Sequence, residues 1–288
     1  MYQSTDKMKT YFALLLGVLV SGVALAQIKT PPASPTFELK GTVGFAEVKV
    51  VYSRPSARGR QVAGNLIPYD EVWRTGANAS TKISFSEPVK LDGHPVAAGE
   101  YALYTIFTQD KATIILSKNL GWWGAIGYDP AEDALRFEVP LKHPSSHYET
   151  FTISFSDFTR NSANLNLKWE HTKAMFNIQS DVDARVMADI QAELIDGKTA
   201  SARSYYDGAA YYFDTNRDAA LALAWATKAI EMDKDPKYWM WYLKAQLLAR
   251  NNKNEEAVAT ATKAAALAKA AGNLDYVKLN EQLIASLK

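Results

Sequence analysis

"AEVKVVY" occupies Ala46–Tyr52, and its reading decides the fold. Ala46, Val48, Val50 and Tyr52 alternate with Glu47, Lys49 and Val51. Successive side chains of an extended chain leave on opposite faces, so the first set lines one side of a strand. A helix would instead need apolar residues three and four apart. The same period runs outward from about Phe37 to Ile178 through "TKISFSE", "YALYTIF", "ATIILSK", "ALRFEV", "ETFTISFSD", "NLNLKWE" and "AMFNI". These runs are rich in β-branched and aromatic residues, and Gly, Pro, Asn and Asp separate them. Eight or nine short strands with no helical stretch between them predict an antiparallel β-sandwich or flattened barrel. "LDGHPVAAGEY" (Leu91–Tyr101) reads as a turn between strands: Asp92-Gly93 is a strong turn pair, and Pro95 is barred from a central strand.

Near Ser180 the period changes. "DVDARVMADIQAELI" sets Val186, Met187, Ile190 and Leu194 on one helical face, with Asp181 or Asp183 as N-cap. From about Ala202 to Leu287 there is an internal repeat. Tyr206, Ala210, Phe213, Ala222, Ala226 and Ala229 recur 35 positions later as Trp241, Ala245, Leu248, Ala257, Ala261 and Ala264. This resembles the tetratricopeptide repeat, whose period is about 34 residues. Small residues then mark where the two helices of a hairpin cross, and large ones fill the groove between hairpins. Lys234 stands where that family usually has Pro, and Tyr276, Leu279, Leu283 and Leu287 mark a capping helix. The expected organisation is a targeting segment over 1–26, a β-sandwich over 27–178 and a tetratricopeptide-like α-helical hairpin array over 179–288. Two repeat units are short for a free-standing solenoid, so the helices either serve only as a structural appendage or also bind a peptide or protein.

The targeting segment has Lys7 and Lys9 before the apolar run "YFALLLGVLVSGVALA", which ends in the small-x-small pattern Ala24-Leu25-Ala26. A cleaved signal peptide is the expectation, with a retained anchor as its alternative. Gln27 follows instead of Cys, which argues against lipid attachment. The mature chain is expected in the periplasm or outside the cell, with no membrane span after cleavage. It has no Cys, which excludes thiol catalysis and Cys-based metal sites. Removing Lys7, Lys9 and Asp6 from totals of 32 and 31 leaves 30 basic and 30 acidic residues. That balance argues against a nucleic-acid or polybasic membrane-surface protein.

Three loops could carry chemistry. In "YSRPSARGR" (Tyr52–Arg60), Arg54, Arg58 and Arg60 converge after Pro55. "VWRTGANAST" (Val72–Thr81) adds Arg74. Planar guanidinium forks suit carboxylates and phosphates. If the two loops meet, all four would surround one anion; otherwise each arginine pairs with a loop carboxylate such as Asp70 or Glu71. Trp73 is expected to anchor the second loop, Gly76 to supply a positive φ, and Asn78 to bond backbone or ligand. In "NLGWWGAIGYDPAED" (Asn119–Asp133), Gly121, Gly124 and Gly127 bracket Trp122 and Trp123, with Tyr128 next. An exposed Trp stacks on sugars, rings or guanidinium groups; the alternative is one Trp buried and one covering a neighbouring strand. Asp129, Glu132 and Asp133 are weak candidates for catalytic carboxylates. The calcium-loop spacing is missing, and His143 and His147 are separated by Pro144 and lead into a strand, so no metal and no cofactor is assigned. Serine-hydrolase elbow, phosphate-loop and dinucleotide motifs are also missing.

The β half resembles the domain-of-unknown-function 2911 family of exported bacterial proteins. Its Y-S-R-P, V-W-R-T-G-A-N and G-x-Y-x-L-Y-T blocks carry the resemblance, together with "WWGAIGYDPAEDALRFEVP" and "LNLKWEHTKAMFNI", over about residues 34–178. The resemblance implies an exported β domain whose characteristic blocks fall on the suspected loops, often with a helical C-terminal part. It transfers no activity and no catalytic residue.

Three functions compete. The leading reading is a non-enzymatic binding module: a small anionic or glycan ligand on the Arg54/Arg58/Arg60/Arg74 and Trp122/Trp123 loops, and a protein or peptide on the repeats. The second is a cell-envelope hydrolase of glycans or peptidoglycan, which requires two carboxylates about 5 to 9.5 Å apart across a cleft. The third is a scaffold without a small-molecule site.

Overall fold

The computed structural model describes residues 30–197 and 200–288, so the predicted signal peptide lies outside the described residues. The chain divides into two compact units, one ending at Ser180 and one spanning Asp181–Lys288.

The first unit is a sandwich of two antiparallel sheets, not a closed barrel. One sheet has the order β1 (Thr36–Val43), β2 (Ala46–Ser53), β4 (Thr81–Phe85), β7 (Gly99–Phe107), β8 (Lys111–Ser117), β9 (Asp133–Pro140), and the short β3 (Val72–Trp73) pairs with β7. The other has the order β10 (Tyr148–Ser156), β11 (Ser162–Glu170), β12 (Thr172–Ser180), β5 (Val89–Leu91), β6 (His94–Val96). The alternation in "AEVKVVY" becomes the pleat: Ala46, Val48, Val50 and Tyr52 are buried, whereas Glu47 is exposed and Lys49 half-exposed. Inward residues of both sheets, among them Ile83, Leu103, Leu165 and Phe176, form one core. The turn read at Asp92-Gly93 joins β5 to β6, and Pro95 lies in β6 at the sheet edge, where a missing N–H costs no ladder bond.

Trp73 closes one end of this core. Its ring stacks on Trp169 of the opposite sheet at 5.8 Å and meets Phe151 edge-on at 5.0 Å. With Val62, Ile67, Phe107 and Leu167 these rings line a narrow apolar cleft between the sheets.

The second unit has six α-helices among the described residues: α1 (Val182–Ile190), α2 (Ala202–Asp214), α3 (Ala219–Met232), α4 (Tyr238–Arg250), α5 (Asn254–Ala270) and α6 (Leu274–Ser286). Asp181 is the N-cap of α1, without a side-chain bond, and a single π turn at Gln191–Ile195 extends that helix. Ser201, Asp218 and Asn273 cap α2, α3 and α6 by accepting backbone N–H bonds in the first turn. From α2 onward each helix packs on the next. Ala222, Ala226 and Ala229 on α3, and Ala257, Ala261 and Ala264 on α5, are buried. Gly208 lets α2 approach the π turn, since a Cβ there would meet Leu194 Cδ1 at 2.4 Å.

Candidate functional site

The strand register builds a site on the outer face of the larger sheet. Thr81, Ile83 and Phe85 point inward from β4, so Lys82 points outward. Lys82 pairs with Ala102, Tyr104 pairs with Ile115, and Ile115 pairs with Arg136. Directly opposed residues share a face, so Lys82, Tyr104 and Arg136 form a band across four strands.

The loop after β8 folds over this band. Trp122, Ala125 and Tyr128 pack with Tyr104, Ala102 and Ile115 in a small apolar cluster separate from the main core. The Tyr104 ring lies 6.1 Å from Trp122 and 5.3 Å from Tyr128. Polar tethers fix the loop's course. Lys82 Nζ donates to Leu120 O at 2.7 Å, and Tyr104 Oη donates to Gly124 O at 3.1 Å. Tyr128 Oη donates to Asp133 at 2.7 Å and accepts from Arg136 Nη2 at 2.6 Å. Arg136 also pairs with Asp133 at 2.9 Å. Burial, with the Asp133 carboxylate second, pushes the Tyr128 hydroxyl up to about 12.

The two tryptophans divide. Trp122 packs inward, whereas Trp123 is 64% exposed, beside exposed Leu120 and Ile126. Arg74 joins this loop: its guanidinium lies against Gly124, and its Nη1 donates to Asn78 O at 2.8 Å. Asn78 adopts φ 61° and ties the second loop to the first, its Nδ2 donating to Ser53 Oγ at 3.2 Å and Ser34 O at 3.3 Å. Gly76 has the expected positive φ, 159°, and Thr75 and Asn78 on either side of the turn also hold positive φ. Glycine is required there by space, because a Cβ would stand 2.9 Å from Ser53 O.

The other arginines are engaged with protein carbonyls. Arg54 donates to Phe151 O at 3.1 Å and Thr152 Oγ1 at 2.7 Å, and lies over the Phe37 ring. Arg60 folds back onto Ala57 O and Ser56 O, both at 2.9 Å. Arg58 reaches Ala33 O at 3.2 Å, while its backbone N–H donates to Glu149 at 2.8 Å. Their partners are carbonyls where the sequence suggested Asp70 or Glu71. Among the carboxylates, Asp129 caps its own 3-10 turn by accepting from Ala131 N, and Asp133 holds Tyr128 and Arg136. Glu132 is half-exposed, and its backbone carbonyl accepts from Lys118 N at 2.9 Å. His147 contacts His171 at 5.2 Å between ring centroids, across the sheet and off any helix. Among the described residues no group of three or more His, Asp or Glu is arranged to hold a metal ion.

Sequence reasoning passed over Ser80, Lys82, Tyr104 and Arg136. Ser80 is buried, and its Oγ accepts from Lys82 Nζ at 2.7 Å beside the Tyr104 hydroxyl. Burial holds the Lys82 amine below the usual lysine range, against a smaller opposing effect of Glu100. Burial raises the Tyr104 hydroxyl above the usual tyrosine range. Neither Arg74 nor Lys82 is in an ion pair with a carboxylate among the described residues. Part of the signal was present: the alternation in "TKISF" puts Lys82 on the face opposite Thr81, Ile83 and Phe85.

These features define a two-sheet β-sandwich carrying a loop-covered cluster of cationic and hydroxyl groups on one outer face. The sequence model of a family described as "Protein of unknown function (DUF2911)" matches residues 34–178, half of the 288-residue chain, and the chain belongs to that family. The comparisons with curated proteins and with solved structures found no match.

Proposed function

We propose that the β unit binds a small anionic or glycan ligand at the Arg74/Lys82 cluster. The observation that carries this reading is the pair of half-buried cations, Lys82 on the sheet face and Arg74 in the loop after β3, neither ion-paired with a carboxylate among the described residues. An anion entering there would recover the countercharge that the protein does not supply, in surroundings where water screens it poorly. The Ser80 hydroxyl lies beside Lys82, and exposed Trp123 offers a flat apolar face to a ring. Arg54, Arg58 and Arg60 belong to the framework that holds this loop end together; Asn78 positions Arg74 through its carbonyl.

Export of the mature chain is part of this proposal, supported by the basic n-region, apolar run and Ala24-Leu25-Ala26 pattern. So is a tetratricopeptide-like helical unit that takes a peptide or protein. The 35-residue recurrence and the burial of both alanine sets support that part.

Thermal unfolding of 27–288 against organic anions, inorganic phosphate and acidic or neutral cell-wall glycans tests the ligand site. A ligand at a hundredfold excess over its Kd stabilises the fold by ~2.7 kcal/mol, a shift of roughly 5 to 10 °C. The shift is expected to vanish in Arg74→Ala and Lys82→Met. A shift that survives both substitutions would place the ligand elsewhere and overturn the reading.

A further inference from the structure

We infer that Ser80 and Lys82 form a nucleophile–base pair that cleaves a carboxylic ester carried by the bound ligand. The inference rests on the proposed ligand site for what holds the substrate, and it goes beyond binding to a reaction.

The geometry is that of an activated hydroxyl. Ser80 Oγ and Lys82 Nζ are 2.7 Å apart, within reach for proton transfer. Lys82 leaves the outer face of β4, and Ser80 is the residue immediately before that strand, so one intervening residue, Thr81, fixes their separation. Lys82 is in no ion pair with a carboxylate among the described residues, and burial shifts its amine toward the neutral form against a smaller opposing effect of Glu100. A neutral amine has two N–H bonds and one lone pair. One N–H can keep the bond to Leu120 O while the lone pair accepts the Ser80 proton. Serine–lysine pairs of this kind replace the histidine of a serine triad on unrelated folds. The surroundings supply the remaining parts. Tyr104 stands beside Ser80 with its own hydroxyl proton donated to Gly124 O, which leaves the Ser80 proton free to pass to Lys82. Arg74 lies against Gly124, whose carbonyl accepts from Tyr104, and its charge acts on the Tyr104 hydroxyl; its proposed role is to face the negative charge that develops. Ser80 itself is covered, so substrate reaches it by displacing the Gly121–Gly127 part of the loop, where three glycines surround exposed Trp123 and Ile126.

The step balances without a further reagent. The Ser80 proton passes to Lys82 Nζ as Oγ bonds to the ester carbonyl carbon, and the oxyanion faces Arg74. The carbon–oxygen bond to the alcohol then breaks, and the alkoxide takes the proton from Lys82. Water, deprotonated by Lys82, attacks the acyl-Ser80 ester; the acid leaves and Ser80 regains its proton. The net reaction is ester plus water to acid plus alcohol.

The test uses the 27–288 chain with a fluorophosphonate probe and with p-nitrophenyl acetate. A mass adduct on the Ser80 peptide is expected, absent in Ser80→Ala. Ester hydrolysis is expected to fall at least a hundredfold in Ser80→Ala and in Lys82→Arg, which keeps the positive charge but cannot act as base. The wild-type rate should rise with pH through the ionisation of Lys82, and Lys82→Arg should lose that limb. Both variants are to be checked for native unfolding temperature. No adduct on Ser80, or hydrolysis unchanged in folded Ser80→Ala, overturns the reaction. If anions still shift the unfolding temperature in that case, the binding site stands and only the catalysis falls. If neither is seen, both fall.

Discussion

Arg74 lies against Gly124 so closely that a Cβ on Gly124 would stand 2.8 Å from the guanidinium carbon. Gly124 also holds φ 71°, a backbone region that side chains disfavour. The contact joins two loops that are 50 positions apart in sequence. Gly124→Ala is expected to lower stability by about 1–3 kcal/mol through backbone strain and steric conflict together. Adding Arg74→Ala should return part of that loss, because the clash then disappears. Urea unfolding of the four proteins in a double-mutant cycle measures the coupling. Strict additivity would mean that the loop moves freely away from Arg74.

Trp73 joins the two sheets through Trp169 and Phe151, and packs on Phe107 of its own sheet. Trp73→Ala is expected to cost about 3–5 kcal/mol, the range for a large aromatic removed from a core. Denaturant unfolding checks this. A loss below about 1 kcal/mol would show that the loop end of the sandwich closes without it.

Arg54 and Arg74 are expected to behave differently. Arg54→Ala leaves the Phe151 carbonyl and Thr152 without their donor, and should lower stability by about 1–3 kcal/mol. It should leave an anion-induced shift in unfolding temperature intact. Arg74→Ala should abolish the shift. Loss of the shift in Arg54→Ala, with the fold preserved, would bring the first arginine loop back into the binding site.

Tyr128 gives the fold a dependence on alkaline pH. Its hydroxyl is pushed from 10.0 to about 12, so the folded state keeps a proton that the unfolded chain releases. Its contribution to stability is therefore fully present below about pH 10 and is lost as pH rises from about 10 to 12. Tyr128→Phe should flatten that part of the stability–pH curve. Lys82 acts with the opposite sign. Its lowered amine loses a proton in the fold before it does so in the unfolded chain, so stability rises with pH between its folded value and 10.5. Unfolding midpoints of wild type, Tyr128→Phe and Lys82→Met across that range separate the two; a Tyr128→Phe curve identical to wild type would remove the first effect.

How far the fold and site can be read locally depends on the residue. The pleat of "AEVKVVY" is written in its own seven residues, and Ile83 and Phe85 are inward for the same reason. The hairpin at Asp92-Gly93 was visible as a turn, though the three-residue strands flanking it are too short to show a period. Trp122 and Trp123 stood out as adjacent aromatics in a Gly-rich loop. Which of them turned inward depended on Tyr104, Ala102 and Ile115 on the sheet face.

The sequence alone determined two things: the period-two pattern to about Ile178, and the helical period with its 35-residue recurrence beyond it. Both are local, because side-chain direction follows from backbone geometry within one element. The tertiary structure decided which loops meet. Arg74 left the company of Arg54, Arg58 and Arg60 and joined Gly124. Lys82, Tyr104 and Arg136 came together from three separate strands. Alternation states which face a residue occupies but not which strand lies beside it. Neighbours and register are set by burying both sheets' inner faces in one core, and that packing draws on residues from the whole unit at once.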